Sequence, residues 1–144
     1  MSESIIRLHY NILANDFKSA GEASSNVKKM LNQLGILPQI VKKISIAMYE
    51  AEINAVIHGN GGVADIEIGQ DKVTAKISDK GPGIPDIEMA MQEGFSTAPD
   101  SVREMGFGAG MGLPNMKRYA DKLDIESKVG KGTAVTITVY INGL

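Results

Sequence analysis

Apolar and polar residues alternate near the start of the chain, which is the period-two pattern of a half-buried β-strand. Over residues 5–13 the apolar face carries Ile6, Leu8, Tyr10 and Ile12. Two more alternating runs, 64–68 and 73–77, flank Gly69-Gln70-Asp71 and predict an antiparallel hairpin with one buried face. A last hairpin is predicted to take in residues 124–127 and 133–141. The pattern therefore indicates about five strands.

Apolar residues at helical spacing predict the helices. Asn15 or Asp16 is predicted to cap a first helix that runs to about Leu34 and ends at Gly35. Pro38 starts a second, longer helix that continues to about Ile57. Its core stripe is Ile40, Ile44, Ala47, Met48, Ala51 and Ala55. A short helix is predicted over 86–93, and a later helix with Pro114 in its first turn has an apolar stripe formed by Leu113, Met116, Ala120 and Leu123.

This order of elements predicts an α+β fold, with a mostly antiparallel sheet of about five strands and the helices on one face. The chain has 144 residues, and we interpret residues 1–144 as one domain. A chain of this size buries about two thirds of its unfolded surface, which is enough for a core without disulfides.

The composition excludes several classes of function. The formal net charge is −2, so a polyanion such as DNA is not expected as the main partner. The chain has no cysteine, which excludes thiolate metal sites and favours a reducing compartment. No apolar run approaches the roughly 20 residues that a membrane span needs. We therefore expect a soluble, cytoplasmic protein.

Glu50 and Asn54 stand one helical turn apart, on the same face as His58. These residues could form a solvated polar stripe. Alternatively, Asn54 offers its side-chain oxygen to Mg²⁺ while Glu50 orients or deprotonates an attacking hydroxyl group. Phosphoryl transfer has a loose transition state that requires little basicity from the catalytic base, so a well-positioned Glu50 can suffice. His58 is interpreted as a structural residue.

Asp79-Lys80-Gly81-Pro82-Gly83 follows a predicted buried strand directly. Its composition is that of a turn. The same segment would also form a pocket wall, where Gly81 and Gly83 allow a close approach of backbone to a flat ring. Asp79 would then accept the amino hydrogen of adenine, which favours ATP over GTP.

Residues 106–112 carry four glycines at alternate positions. They complete neither a G-x-G-x-x-G fingerprint nor a P-loop, so Rossmann and P-loop sites are excluded. A flexible stretch that leads into a helix start remains, and its backbone can wrap a triphosphate. We interpret residues 94–110 as a lid, on which Arg103 could close over a γ-phosphate or remain a solvated arginine. Residues 130–133 most simply close the last hairpin.

Taken in order, these motifs resemble the GHKL ATPase superfamily of gyrase, mismatch-repair and histidine-kinase ATP domains. Within it, the chain is similar to the small serine/threonine kinases that act as anti-sigma factors or as switch proteins in bacterial sigma-factor control. The matching boxes are residues 50–59, 79–83, 94–97, 106–113 and 130–133.

The resemblance implies ATP and Mg²⁺ as cofactors and a histidine-kinase-like ATPase fold. It implies that Asn54 binds Mg²⁺, that Glu50 is the catalytic base, and that Thr133 assists Asp79 in holding adenine. Arg103 is predicted to be the second catalytic residue. The remaining predicted nucleotide-binding positions are Gly81, Gly83, Thr97, Gly108, Gly110, Gly112 and Leu113.

The function implied by the resemblance is a protein serine/threonine kinase that phosphorylates a STAS-type anti-sigma antagonist and also sequesters a sigma factor. Relatives further imply a homodimer. One alternative is a nucleotide-gated binding module with little phosphoryl transfer. Another is a detached histidine-kinase catalytic domain, although the chain lacks the helix pair that carries a phospho-accepting histidine.

Overall fold

A five-stranded, fully antiparallel sheet forms one layer of the protein, whose computed structural model describes residues 5–58, 60–84, 87, 91 and 112–141. The strand order is β1-β2-β3-β5-β4. The strands are β1 (Ile6–Ile12), β2 (Gly62–Ile68), β3 (Lys72–Asp79), β4 (Lys122–Lys128) and β5 (Gly132–Tyr140). The predicted strands and both hairpins are therefore confirmed.

Three helices within the described ranges form the second layer: α1 (Glu22–Gln33), α2 (Pro38–Ile57) and α3 (Gly112–Tyr119). The longest, α2, contacts β1, β2, β3 and β5 and also packs against α1 and α3. All six residues of its predicted core stripe are buried. This arrangement confirms the predicted α+β fold with helices on one side of the sheet. In the part of the chain that the structure describes, no helix is both long and apolar enough to cross a bilayer.

The two faces of the sheet differ in chemistry because side chains alternate along each strand. On the helix-covered face, Ile66 of β2 lies between Leu8 and Ala75, and Ala75 lies opposite Ile137. On the other face, Arg7 of β1 pairs with Glu67 of β2. The covered face thus supplies the core and the open face is polar.

The first helix begins later than predicted. It starts at Glu22, and Asn15 and Asp16 lie in the preceding connection, where Asp16 Oδ1 accepts the Ser19 N–H. The predicted cap is wrong because a residue of another helix supplies it. Glu52 of α2, only 3% exposed, accepts the N–H groups of Gly21, Ala23 and Ser24 at 3.0–3.1 Å.

Helix α3 is shorter than its apolar stripe predicted, since it ends at Tyr119 and Leu123 lies in β4. Asp121 marks the change of direction. Its N–H donates to the Thr138 carbonyl at 2.9 Å, and its carboxylate accepts the Tyr140 N–H at 2.8 Å. These bonds to β5 favour a strand from Lys122 onward over another turn of helix.

Candidate nucleotide-binding site

A row of polar residues crosses one end of the sheet on its helix-covered face. Asp79 is the last residue of β3, and its backbone partner in β2 is Gly62. Thr133 of β5 lies opposite Ser127 of β4. The Thr133 N–H donates to the Asp79 side chain, which joins the two halves of the row. We call Asp79, Thr133 and Ser127 the polar row.

The Asp79 carboxylate is held in one orientation by two backbone donors. Its Oδ1 accepts the N–H of Gly81 at 2.9 Å and the N–H of Thr133 at 3.1 Å. The second oxygen, Oδ2, accepts neither of these bonds. Because charge-assisted hydrogen bonds are strong, the strand end and the turn together fix where Oδ2 lies.

The segment after Asp79 is fastened to the β4–β5 turn. The Gly130 N–H donates to the Pro82 carbonyl at 2.8 Å, and the Ile84 N–H donates to Ser127 Oγ at 2.7 Å. Gly83 has φ +83°, and a Cβ there would lie 2.4 Å from the Lys128 carbonyl oxygen. Gly83 is therefore required where two backbone segments meet.

Glycine also matters on the other side of this junction. A Cβ on Gly132, whose φ is +129°, would lie 2.2 Å from the Asp79 carbonyl oxygen. Gly81 is buried, and its N–H donates to the Asp79 side chain. At Gly83 and Gly132, the close approach of two backbone segments explains why the residue is glycine, and no ligand is needed. For Gly83 the sequence suggested a different reason, the close approach of backbone to a flat ring.

Glu50 and Asn54 are half-buried on α2, as their spacing predicted. Burial raises the pKa of Glu50, and a hydrogen bond with the Asn115 side chain opposes that rise. Burial lowers the pKa of His58, and the negative charge of Asp79 opposes that fall. The negative charge in the polar row therefore affects the pKa of His58, which lies just past the end of α2.

Helix α3 covers this face of α2. A Cβ on Gly112 would lie 3.1 Å from both Oδ1 and Nδ2 of Asn54, so glycine lets the start of α3 approach the amide closely. One turn later, the Asn115 side chain lies close enough to Glu50 to lower the pKa of its carboxyl group. Leu113 is 6% exposed and belongs to the hydrophobic core. The described part of α3 thus begins beside Asn54.

The predicted site residues fall into four groups. Asp79, Gly81, Gly83 and Thr133 meet at the polar row, whereas Glu50, Asn54 and Gly112 meet where α2 packs against α3. Leu113 anchors α3 in the core. Thr97, Arg103, Gly108 and Gly110 lie outside the described residues, as do the predicted lid and most of the predicted 86–93 helix.

Three residues around the site were not identified from the sequence. Ser127 could have been found from the pairing of the last hairpin, because it lies opposite Thr133. Asn115 follows Pro114 at the start of a helix, a position with no local signal for a contact with Glu50. Glu52, two residues from both Glu50 and Asn54, holds α2 to the start of α1 through its buried carboxylate.

The side-chain oxygen of Asn54 suits a metal ion that is bound mainly by the phosphate groups of a ligand. Among the residues that the structure describes, no group of three or more His, Cys, Asp or Glu side chains could hold a metal ion by itself. Asn54 offers one amide oxygen. Mg²⁺ often keeps few protein ligands and completes its shell with phosphate oxygens and water. An amide beside a helix start fits that chemistry.

Comparison with known proteins gives one family. Residues 40–142 match the model of the histidine kinase-, DNA gyrase B- and HSP90-like ATPases. An anti-sigma F factor of Thermoanaerobacter sp. (strain X514) is 41% identical over 106 residues, which cover 70% of this chain and 71% of that protein. The serine/threonine-protein kinase RsbT of Bacillus subtilis (strain 168) is 36% identical over 124 residues, covering 83% of this chain and 85% of the kinase.

A solved structure shares the fold. The RsbU and RsbW domains of a Mycobacterium tuberculosis protein align with a TM-score of 0.63 and 20% identity, covering 92% of this chain and 32% of that one. At this identity the likeness concerns architecture alone. It agrees with the two-layer arrangement of sheet and helices described above.

Proposed function

The chain belongs to the histidine kinase-, DNA gyrase B- and HSP90-like ATPase family, in the branch of small anti-sigma-factor and switch kinases, and on that premise we propose that it is an ATP- and Mg²⁺-dependent protein serine/threonine kinase. One observation carries the proposal. The N–H groups of Gly81 and Thr133 fix the Asp79 carboxylate, and its charge opposes the fall in the pKa of His58, the residue that follows the helix bearing Glu50 and Asn54.

The polar row would hold the base. Asp79 Oδ2 is an acceptor in a fixed position, and an exocyclic amino group is the donor that distinguishes adenine from guanine at that place. The bonds from Gly81 and Thr133 to Oδ1 keep the carboxylate from turning when the base arrives. Preorganisation of this kind lowers the cost of binding.

The Glu50–Asn54 end would carry the chemistry. Asn54 supplies an oxygen to Mg²⁺, which neutralises phosphate charge when it is bound. Glu50 accepts the proton of the attacking serine or threonine hydroxyl, and burial makes its carboxylate more basic than an exposed one. The neighbouring Asn115 side chain opposes that rise in the pKa of Glu50 and would help to orient its carboxylate.

The predicted lid completes the proposal. Thr97, Gly108 and Gly110 are proposed to contact the phosphates through side chain or backbone, and Arg103 is proposed to offset charge on the γ-phosphate during transfer. Gly112 and Leu113 would fix the end of the lid, because a side chain at Gly112 would crowd Asn54 and Leu113 is buried in the core.

The partners are proposed from the relatives. Proteins named anti-sigma F factor are similar to this chain, which supports a sigma factor as one partner. The phosphorylated partner is proposed to be an anti-sigma antagonist of STAS type. A cytoplasmic location and a homodimer belong to the same proposal. The name of the Bacillus subtilis relative supports serine or threonine as the acceptor.

The test is transfer of labelled γ-phosphate from ATP to a candidate STAS protein, with Glu50→Gln as the matched variant. We expect acid-stable phosphoserine or phosphothreonine on the partner and almost none with the variant. Acid-labile phosphohistidine would instead indicate a histidine-kinase catalytic domain. ATP binding without any transfer would contradict the kinase proposal and favour the nucleotide-gated binding module.

A further inference from the structure

Among the described residues, the hydroxyl group of Ser127 has three polar neighbours. The Ile84 N–H donates to Ser127 Oγ at 2.7 Å, and the carbonyl oxygen of Gly132 lies 3.3 Å from it. The third neighbour is Thr133 Oγ1 at 2.8 Å, and either hydroxyl of that pair can be the donor. Ser127 therefore connects the segment after Asp79 to the hydroxyl of Thr133.

Counting protons leaves two arrangements. A hydroxyl group has one proton to donate and two lone pairs. If Ser127 donates to Gly132, it accepts from Thr133, and Thr133 then has only lone pairs for a ligand. If Ser127 donates to Thr133 instead, the proton of Thr133 is free to point at a ligand. The second arrangement uses the shorter contact, 2.8 Å against 3.3 Å.

If the proposed function is correct, the hydrogen-bonding pattern of the adenine ring favours one of these two arrangements. Adenine presents an amino donor beside a ring nitrogen that accepts, whereas guanine presents the reverse. If Asp79 accepts from the amino group, the neighbouring hydroxyl must donate to match the ring nitrogen. We infer that Ser127 is a positioning residue that donates to Thr133 and thereby directs the Thr133 proton toward the ring nitrogen of adenine.

The proposed chain of donors runs in one direction. It starts at the Ile84 N–H, passes through Ser127 and Thr133, and ends on the base. Hydrogen bonds in such a chain polarise one another and strengthen each link. Ser127 would therefore affect adenine recognition without touching the nucleotide.

The experiment measures equilibrium binding of ATP and of 1-deaza-ATP, in which a C–H group replaces the ring nitrogen beside the amino group. For the wild-type protein we expect 1-deaza-ATP to bind about 2- to 12-fold more weakly than ATP, the worth of one neutral hydrogen bond. Ser127→Ala should weaken ATP binding by a similar factor and lower the 1-deaza penalty to less than about 2-fold. Ser127→Thr keeps the hydroxyl and should restore the penalty.

Two controls separate this role from a structural one. Glu126→Ala changes the exposed neighbour of Ser127 on β4 and should leave both affinities unchanged. If Ser127→Ala weakens the binding of ATP and of 1-deaza-ATP by the same factor, Ser127 only holds the Ile84 segment in place. That result would overturn the inference. Wild-type protein that binds no ATP would overturn the proposed function as well, whereas ATP binding with an unchanged penalty in Ser127→Ala would overturn the inference alone.

Discussion

Asp79→Asn tests base recognition with little change of shape. Asparagine retains Oδ1, which can still accept the N–H groups of Gly81 and Thr133. The flipped amide would set its own donors against these two N–H groups, so the bonds hold the amide in one orientation. The substitution therefore replaces Oδ2 with an NH₂ group at the same place.

The expected loss follows from one hydrogen bond. An acceptor that is charged contributes about 1.5–3 kcal/mol, so ATP binding should weaken about 10- to 150-fold. GTP should lose nothing, because the new amide donor matches the carbonyl oxygen that guanine carries in place of the amino group. Isothermal titration with both nucleotides measures the change in preference.

Two controls accompany this titration. Asp65→Asn makes the same chemical change on the open face of the sheet, where Asp65 pairs with His9, and should not alter nucleotide binding. The charge of Asp79 opposes the fall in the pKa of His58, so that pKa should fall further in Asp79→Asn, which NMR titration can follow. Equal losses for ATP and GTP, or no loss for ATP, would refute the assignment of Asp79.

Three further substitutions test other parts of the account. Glu50→Gln should reduce phosphoryl transfer by about two orders of magnitude while ATP affinity stays within a few-fold. Burial raises the pKa of Glu50, so the wild-type protein loses stability as the pH rises through that pKa. In denaturant titrations the Glu50→Gln variant should therefore be more stable than the wild-type protein at pH 7 and should lose that advantage below about pH 4. Glu52→Ala leaves three backbone N–H groups without their buried acceptor and should cost about 3–5 kcal/mol of unfolding free energy, against less than about 0.5 kcal/mol for exposed Glu126→Ala. Arg103→Ala should reduce transfer strongly and leave ADP affinity unchanged, since ADP lacks the group that Arg103 is proposed to contact; equal losses of ADP and ATP binding would contradict that role.

The sequence predicted those features that depend on local pattern. The stripe of α2 and the alternation of β1 follow from a single period, so both could be predicted before any contact was known. The position of Asp79 was also predicted, because it follows a recognisable strand. The face shared by Glu50 and Asn54 follows from helical spacing.

Features that depend on distant contacts could not be predicted. The cap of α1 comes from Glu52, which lies 28 to 31 residues away from the groups that it binds. The place of Ser127 depends on the exact register of β4 against β5. Helix α3 ends early because Asp121 bonds to β5, a strand later in the chain. Propensity alone carries no information about such partners.

A crystal structure with Mg²⁺ and a non-hydrolysable ATP analogue tests the central claim most directly, since the claim is that one nucleotide spans from the polar row to Asn54. We expect the adenine amino group within hydrogen-bonding distance of Asp79 Oδ2 and Mg²⁺ bound to the Asn54 oxygen. A base bound elsewhere, such as in the cavity of about 210 Å³ lined by Tyr10, Asn26 and Glu52, would contradict the account.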